Sequence, residues 1–239
     1  MDAIVVKNLT KKYDNRIVVD NLSIQVRKGE VFGLLGANGA GKSTTIECIL
    51  GTKATDNGTV SVLGLNPKKD RRNLFQNVGV QFQECDYQPE IKVSELCEET
   101  ACLYKKTADW KQLCDQFGIG DKLGSAVKSL SSGERQRLFI VLALIPEPQL
   151  VFLDELTTGL DARARRGVWK ILSDLKSNGL TIFLTSHFMD EVEVLCDNIC
   201  ILKQGKPVFY GTVEKAKEIS GSKNFEDAYL AISGEEVEE

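Results

Sequence analysis

Short apolar runs alternate with amphipathic stretches along this chain of 239 residues. The apolar runs that predict strands cover 31–35, 78–82, 150–153 and 181–185. Apolar positions at helical spacing predict helices over 43–50, 133–144, 162–178 and 190–196. The runs 150–153 and 181–185 are apolar enough for strands that are buried on both faces of a sheet. This alternation of buried strands and helices favours an α/β fold with parallel βαβ units.

Other parts of the chain have different patterns of apolar residues. The N-terminal part contains short β runs at 3–6, 22–26 and 59–63, and residues 198–211 are typical of a hairpin that turns at Gln204-Gly205. Between 84 and 129, helical spacing recurs at 93–104 and 108–117. We therefore expect one domain over 1–239. Its α/β core with the β subdomain would cover 1–83 and 137–220, its helical insertion 84–136 and its C-terminal tail 221–239.

Composition restricts the possible functions. The chain is 42% hydrophobic and 27% charged with a net charge of −4, so no overall basic field points to a nucleic-acid partner. Seven cysteines without a C-x-x-C pair, beside one histidine, make a zinc site improbable. The longest apolar run is Leu138–Ile145, far below the roughly 18 residues that span a bilayer. We expect a cytosolic protein with reduced thiols that reaches a membrane only through a partner.

The most informative run is Gly36-Ala37-Asn38-Gly39-Ala40-Gly41-Lys42-Ser43, between a predicted strand and a predicted helix. It fits the pattern G-x-x-x-x-G-K-[ST] of a P-loop, and a glycine-rich turn with a chance lysine is the alternative. Glycines let backbone N–H groups approach a triphosphate, and the helix N-terminus favours the same anion. The residues expected at ATP are Gly36, Asn38, Gly39, Ala40, Gly41, Lys42, Ser43 and Thr44. Lys42 should reach the β- and γ-phosphates, and Ser43 should ligate Mg²⁺.

Two carboxylates follow the predicted strand 150–153. A buried strand that ends in Asp154 delivers its carboxylate to the edge of the sheet where Mg²⁺ and phosphates bind in P-loop proteins. Glu155, one residue later, is placed to polarise the attacking water. The alternative is a strand followed by an acidic helix cap.

The run Leu130-Ser131-Ser132-Gly133-Glu134 lies about 20 residues before these carboxylates. It resembles the L-S-G-G-Q signature of ABC ATPases; outside that context it would be a helix N-cap with a capping box. The resemblance spans nearly the whole chain. It implies a P-loop NTPase core with a mainly parallel sheet, an N-terminal antiparallel β subdomain and an inserted helical subdomain.

The resemblance also assigns single residues. Tyr13 matches the aromatic residue that stacks on adenine, and Gln83 matches the glutamine that touches Mg²⁺. Asp161 lies in the D-loop, and His187 matches the switch histidine at the γ-phosphate. The alternatives are a core or surface tyrosine for Tyr13, a polar strand end for Gln83 and a structural histidine for His187.

The mechanism that the resemblance implies uses two ATP-binding subunits, identical or different, packed head to tail around ATP and Mg²⁺. Lys42, Glu155 and His187 of one subunit would serve hydrolysis, while Ser131 and Gly133 of the other would bind the γ-phosphate. Closure would drive integral membrane permease subunits at the cytoplasmic face of the cell membrane. Residues 185–212 and 224–230 resemble the ATP-binding subunits of ABC-2-type exporters.

Three residues depart from the family pattern. Ser132 replaces a signature glycine, Glu134 replaces the signature glutamine, and Leu156 stands where proline is common. Three other functions remain open. They are a soluble ABC ATPase that acts on ribosomes, in DNA repair or in cofactor assembly, a regulatory subunit that does not hydrolyse ATP, and a small-molecule P-loop kinase. Retention of Glu155 and His187 argues against the second, and the signature argues against the third.

Overall fold

The computed structural model describes residues 1–14, 16–82, 87–88 and 90–234. The strands are β1 (Asp2–Tyr13), β2 (Arg16–Arg27), β3 (Val31–Leu35), β4 (Asn57–Val62), β5 (Val78–Gln81), β6 (Leu150–Leu153), β7 (Thr181–Leu184), β8 (Asn198–Lys203) and β9 (Lys206–Gly211). The α-helices are α1 (Lys42–Ile49), α2 (Arg71–Leu74), α3 (Val93–Cys102), α4 (Trp110–Gln116), α5 (Ser132–Leu144), α6 (Ala162–Ser177), α7 (Met189–Leu195), α8 (Val213–Ser220) and α9 (Phe225–Ser233). The chain divides into a first unit, Met1–Leu74 with Phe183–Glu239, and a second unit, Phe75–Ile182.

The first unit begins with a three-stranded antiparallel sheet in the order β2-β1-β4. Along β2, the buried Leu22, Ile24 and Val26 alternate with exposed residues, as expected for a strand with one face on the core. The predicted N-terminal β runs are thus confirmed, but β1 and β2 extend further, to the pair Tyr13↔Arg16. Backbone hydrogen bonds carry this extension through charged residues, which an apolar pattern cannot reveal.

A second group of strands in the first unit carries its buried core. The five residues of β3 are all buried, and β3 pairs in parallel with β8, as expected for a strand covered on both faces. The hairpin of β8 and β9 turns where predicted, with positive φ at Gln204 (50°) and Gly205 (81°).

Helices α8 and α9 were not among the predicted helices. Their apolar residues pack in a buried cluster with β8, to which α8 contributes Val213 and Ala216, and α9 contributes Phe225 and Ala228. Thr212 caps α8 by accepting a hydrogen bond from the backbone N–H of Lys215. Tertiary burial, more than local propensity, accounts for these two short helices.

The second unit contains the parallel pair β5 and β6, in register from Val78↔Leu150 to Gln81↔Leu153. Helix α5 packs closely on β5, since a Cβ atom on Gly79 would lie 1.9 Å from the Ala143 carbonyl oxygen. All four residues of β6 are buried. The predicted helices of the insertion are confirmed as α3 and α4. This buried, paired strand leads directly into the residues that follow Leu153.

The α/β fold class is confirmed, with parallel pairing of buried strands and an antiparallel N-terminal sheet. Among the described residues, no helix has both the length and the apolar character needed to cross a bilayer. The six cysteines in the described part of the chain are all free thiols.

Candidate nucleotide-binding site

The loop from Gly36 to Gly41 connects β3 to α1 with left-handed backbone at its glycines: φ is 145° at Gly36, 78° at Gly39 and 103° at Gly41. A Cβ atom would lie 2.4 Å from the Leu202 carbonyl oxygen at Gly36, and 2.6 Å from the Val18 carbonyl oxygen at Gly41. At Gly39 it would meet no atom within 4 Å. The loop is therefore packed tightly on its protein side and open at Gly39, as an anion cradle requires.

Lys42 begins helix α1 and is only 7% exposed. Its Nζ donates hydrogen bonds to the carbonyl oxygens of Gly36 at 2.6 Å and Ala37 at 3.1 Å. Ser43, the next residue, is exposed at the N-terminal end of α1. The ammonium group and the positive end of the helix thus lie beside one another in the loop, where both favour an anion.

A cavity of about 830 Å³ lies beside this loop. Its lining comprises Arg16, Ile17, Val18, Ala37, Asn38, Gly39, Ala40, Leu202, Lys203 and Gln204. The start of β2 thus faces the P-loop across the cavity, and Arg16 pairs with Tyr13 in the β1–β2 ladder. No sequence pattern predicted that the β8–β9 turn would line this cavity. The volume is in the usual range for a small-molecule site.

Tyr13 is a partly exposed surface tyrosine at the end of β1, with 39% of its area accessible. The ammonium nitrogens of Lys11 and Lys53 lie 5.2 and 5.4 Å from its ring centroid. Lys53 also pairs with Glu47 at 2.8 Å, and this hydrogen-bonded carboxylate raises the pKa of Lys53. Both ammonium groups are thus within the distance at which the electron-rich face of an aromatic ring attracts a cation.

Asp154 follows β6 and is 8% exposed. Its backbone N–H donates to the Gln81 carbonyl oxygen at 3.1 Å, while Gln81 Nε2 donates to the Asp154 carbonyl oxygen, also at 3.1 Å. Gln81 Oε1 is buried and has no partner among the described residues. Gln81 was not among the predicted site residues, although it is a polar residue within the apolar run 78–82. Its side chain holds the main chain that carries Asp154.

Glu155 has left-handed backbone with φ of 52°, which is uncommon for a residue other than glycine. Gln136 of helix α5 donates from Nε2 to the carbonyl oxygens of Glu155 at 3.2 Å and Leu156 at 2.8 Å. Such backbone strain persists where surrounding contacts fix it, and it is frequent at active sites. Gln136 was also missed, because nothing in a helical pattern marks which polar side chain turns inward. Leu156 is fully buried.

The signature run forms the N-terminus of α5 with the capping box expected for the alternative reading. Ser131 Oγ accepts from the Glu134 backbone N–H at 3.2 Å, and Glu134 Oε2 accepts from the Ser131 backbone N–H at 2.9 Å. A Cβ atom on Gly159 would lie 3.3 Å from the Ser132 side chain, so the extra side chain at 132 lies against a glycine. The capping box of the alternative interpretation is thus observed, and the signature role of Ser131 stays a prediction.

His187 is exposed and follows the buried Thr185 and Ser186 at the end of β7. The Ser186 hydroxyl accepts a hydrogen bond from the Phe188 backbone N–H at 2.9 Å, which braces the turn that presents the imidazole. Asp161 caps helix α6 by accepting from the Ala164 backbone N–H at 2.8 Å, a structural role that the sequence did not assign to it. Gln83 lies outside the described residues.

Comparison with known proteins places these motifs in a family. The family model described as "ABC transporter" matches residues 19–158. The Nod factor export ATP-binding protein I of Rhizobium etli is 40% identical over 216 residues, which are 88% of this chain and 68% of that protein. The protein of the same name from Burkholderia pseudomallei is 38% identical over 86% of this chain and 69% of its own length.

Solved structures agree in fold. A structure titled as the ATP-binding subunit of an ABC transporter superposes with a TM-score of 0.88 at 26% identity, over 97% of this chain and 99% of that one. A nucleotide-free ATP-binding cassette of an ABC transporter gives a TM-score of 0.80 over 96% of this chain and 99% of its own, and at 22% identity it supports the fold alone. From its motifs, its relatives and its fold, the chain belongs to the ABC transporter family, as an ATP-binding ATPase subunit.

Proposed function

We propose that this chain is the ATP-hydrolysing subunit of an exporter and that ATP-driven closure of two such subunits powers a separate membrane permease. The observation that supports an exporter most directly is the 40% identity with a protein named for Nod factor export, over 88% of this chain. That similarity does not favour the alternative function, a soluble ABC ATPase that takes no part in transport. We propose that residues 1–239 act as one ABC ATPase domain at the cytoplasmic face of the membrane.

The P-loop supports ATP as the ligand through its shape. Its glycines at 36 and 41 have backbone that a side chain would obstruct, and Gly39 is open to solvent. Lys42 donates to two loop carbonyl oxygens in the free chain. When ATP binds, its ammonium would exchange these neutral acceptors for the β- and γ-phosphates, which are anionic and form stronger hydrogen bonds. Asn38, Ala40 and Thr44 complete the proposed contacts, and Tyr13 would stack on adenine.

Mg²⁺ fits the donors that the chain offers. Ser43 supplies an exposed hydroxyl at the start of α1, and Asp154 supplies a carboxylate on main chain held by Gln81. Oxygen ligands of these kinds, shared with phosphate oxygens, are the usual protein donors to Mg²⁺. We propose Ser43, Asp154 and Gln83 as the residues that hold the ion. Bound there, it would neutralise the charge that develops on the phosphates.

Hydrolysis then depends on three residues of the chain. Glu155 would orient and deprotonate the attacking water. Its left-handed backbone sets the direction in which the side chain leaves the main chain. His187, exposed beyond β7, would donate to the γ-phosphate, and Lys42 would stabilise the charge on the transferred group. Catalysis in this scheme is mostly positioning and electrostatic stabilisation.

The second subunit would complete the site from across the interface. Helix α5 has thirteen residues, and its N-terminus carries Ser131 and Gly133. Backbone N–H groups at such an end, with the helix dipole, favour a phosphate. A Cβ atom on Gly133 would lie 3.3 Å from the Gly159 carbonyl oxygen, so the signature packs on the D-loop segment that leads to Asp161. We propose that this contact passes closure from the signature to the D-loop.

The test measures the mass in solution of Glu155→Gln with and without Mg-ATP by light scattering. The variant keeps the side-chain volume but lacks a base, so we expect ATP binding without turnover and an ATP-dependent dimer. A matched control, Glu155→Gln with Lys42→Met, should stay a monomer. ATP binding without dimerisation would overturn self-association of identical subunits, and absence of ATP binding would overturn the site. A tagged chain should also recover a membrane-spanning protein from native membranes; recovery with ribosomes or DNA instead would overturn the exporter assignment.

A further inference from the structure

The hydroxyl group of Ser131 has one proton, and in the free chain that proton is engaged. Ser131 Oγ donates to Glu134 Oε2 at 2.9 Å and accepts from the Glu134 backbone N–H at 3.2 Å. The Ser131 backbone N–H donates to the same Oε2 atom at 2.9 Å. A hydroxyl donates only one hydrogen bond. Ser131 can therefore donate to another acceptor only by releasing Glu134.

A lysine pairs with the other oxygen of the Glu134 carboxylate and offsets part of its negative charge. Glu134 Oε1 lies 3.4 Å from Lys122 Nζ, which lies 3.2 Å from Asp121 Oδ2. The backbone N–H and the hydroxyl of Ser131, followed by Lys122, lower the pKa of Glu134 below its ordinary value. The carboxylate is thus anionic at neutral pH, and one lysine is shared between it and Asp121.

We infer that Glu134 is a positioning residue that withholds the Ser131 hydroxyl from the γ-phosphate until ATP-driven closure, and that Lys122 sets how firmly it does so. This inference rests on the proposed function, in which Ser131 donates to the γ-phosphate of an ATP bound by the other subunit. A phosphate that arrives there competes with a carboxylate for the same proton. It also meets a negative charge at short range, which Lys122 offsets in part. Closure therefore needs a higher ATP concentration than the helix terminus alone would require.

Glutamine at 134 separates this role from helix capping. A glutamine side chain can still accept from the Ser131 backbone N–H, and Gln serves in a capping box as Glu does. It lacks the negative charge, so its hydrogen bond with the Ser131 hydroxyl is weaker, because charge-assisted bonds are about twice as strong as neutral ones. Glu134→Gln should therefore lower the KM for Mg-ATP by roughly 3- to 10-fold with little change in kcat. Lys122→Gln should raise KM by about 2- to 3-fold, because a carboxylate without its lysine holds the Ser131 hydroxyl more strongly and repels the phosphate more.

The test measures steady-state ATP hydrolysis by the full chain across these variants, with thermal unfolding of each variant as the measure of folding. Two double variants carry the discrimination. Lys122→Gln should change KM by less than about 1.5-fold when Glu134→Gln is present, because the partner charge is gone. In a Ser131→Ala background, the effect of Glu134→Gln should shrink to less than about twofold, because no hydroxyl remains to compete for.

Three results would overturn the inference. They are an unchanged KM in Glu134→Gln, an equally large reduction of KM in the Ser131→Ala background, and a KM change that appears only with a lower melting temperature. The second result would mean that the charge acts through space and not through the hydroxyl. The proposed function fails separately: in that case the wild-type chain would show no Mg-ATP hydrolysis that Lys42→Met abolishes.

Discussion

The exchange of hydrogen-bond partners at Lys42 makes a quantitative prediction for Lys42→Met. Nζ donates to the Gly36 and Ala37 carbonyl oxygens in the free chain. Hydrogen bonds that involve a charged group contribute about 1.5–3 kcal/mol. Because the ammonium gives up neutral acceptors when it turns to phosphate, we expect a net loss of about 2–3 kcal/mol in ATP binding. This corresponds to a roughly 30- to 150-fold higher Kd.

Folding should change much less than binding. Methionine retains the apolar length of the Lys42 side chain at a position that is only 7% exposed. Loss of the two carbonyl partners lowers stability, whereas removal of a buried ammonium raises it. We expect the two effects to leave the free energy of unfolding within about 1 kcal/mol of wild type, or about 2–4 °C in Tm for a chain of this size.

The assay titrates ATP by calorimetry in the Glu155→Gln background, which prevents turnover during the measurement. Lys170→Met on the exposed face of α6 is the matched control, because it removes the same charge far along the chain from the P-loop. Its Kd should stay within about twofold of the parent. A Kd for Lys42→Met within threefold of the parent, in a protein that melts normally, would refute the exchange of partners and the P-loop role of Lys42.

Two further predictions concern backbone geometry. Gly41→Ala should destabilise the chain by about 2 kcal/mol or more and abolish ATP binding, since it combines φ of 103° with a Cβ atom 2.6 Å from the Val18 carbonyl oxygen. The control is Gly167→Ala within α6, where a Cβ atom would meet nothing within 4 Å, so this variant should be about 1 kcal/mol more stable than wild type. Thermal unfolding compares the two variants, and equal Tm values would contradict the prediction. Gln136→Met removes both hydrogen bonds to the Glu155 turn, so kcat should fall about 10-fold while the Kd for ATP stays unchanged. Gln112→Met on the exposed side of α4 is the control, and an equal kcat in both variants would show that the turn holds without Gln136.

The sequence predicted the elements that rest on periodic burial and on motif spacing. Buried runs such as 150–153 became strands, and the insertion helices became α3 and α4, because apolar spacing reflects burial directly. The P-loop was also visible, because its glycines and lysine are required at fixed positions. The glycines of the loop have positive φ, and at Gly36 and Gly41 close contacts leave no room for a side chain.

Contacts between residues far apart in sequence were not visible in this way. The sequence left open whether Ser131 is a signature serine or a helix-capping serine, and in the structure its hydroxyl takes part in a capping box with Glu134. It marked Glu155 but gave no sign of the left-handed backbone or of the Gln136 side chain that braces it. Asp161 was assigned only to a D-loop, and the structure makes it the cap of α6.

The sequence by itself therefore determined the fold class, the family and the residue types of the site, because strand burial, glycine geometry and phosphate chemistry each leave a local pattern. Only the tertiary structure decided which polar groups hold those residues. Gln81 reaches Asp154 across 73 positions of the chain, and Gln136 reaches Leu156 across 20. Such partners are selected by the packing of β5, β6 and α5, and a hydrogen bond across that packing leaves no periodic signal in the chain.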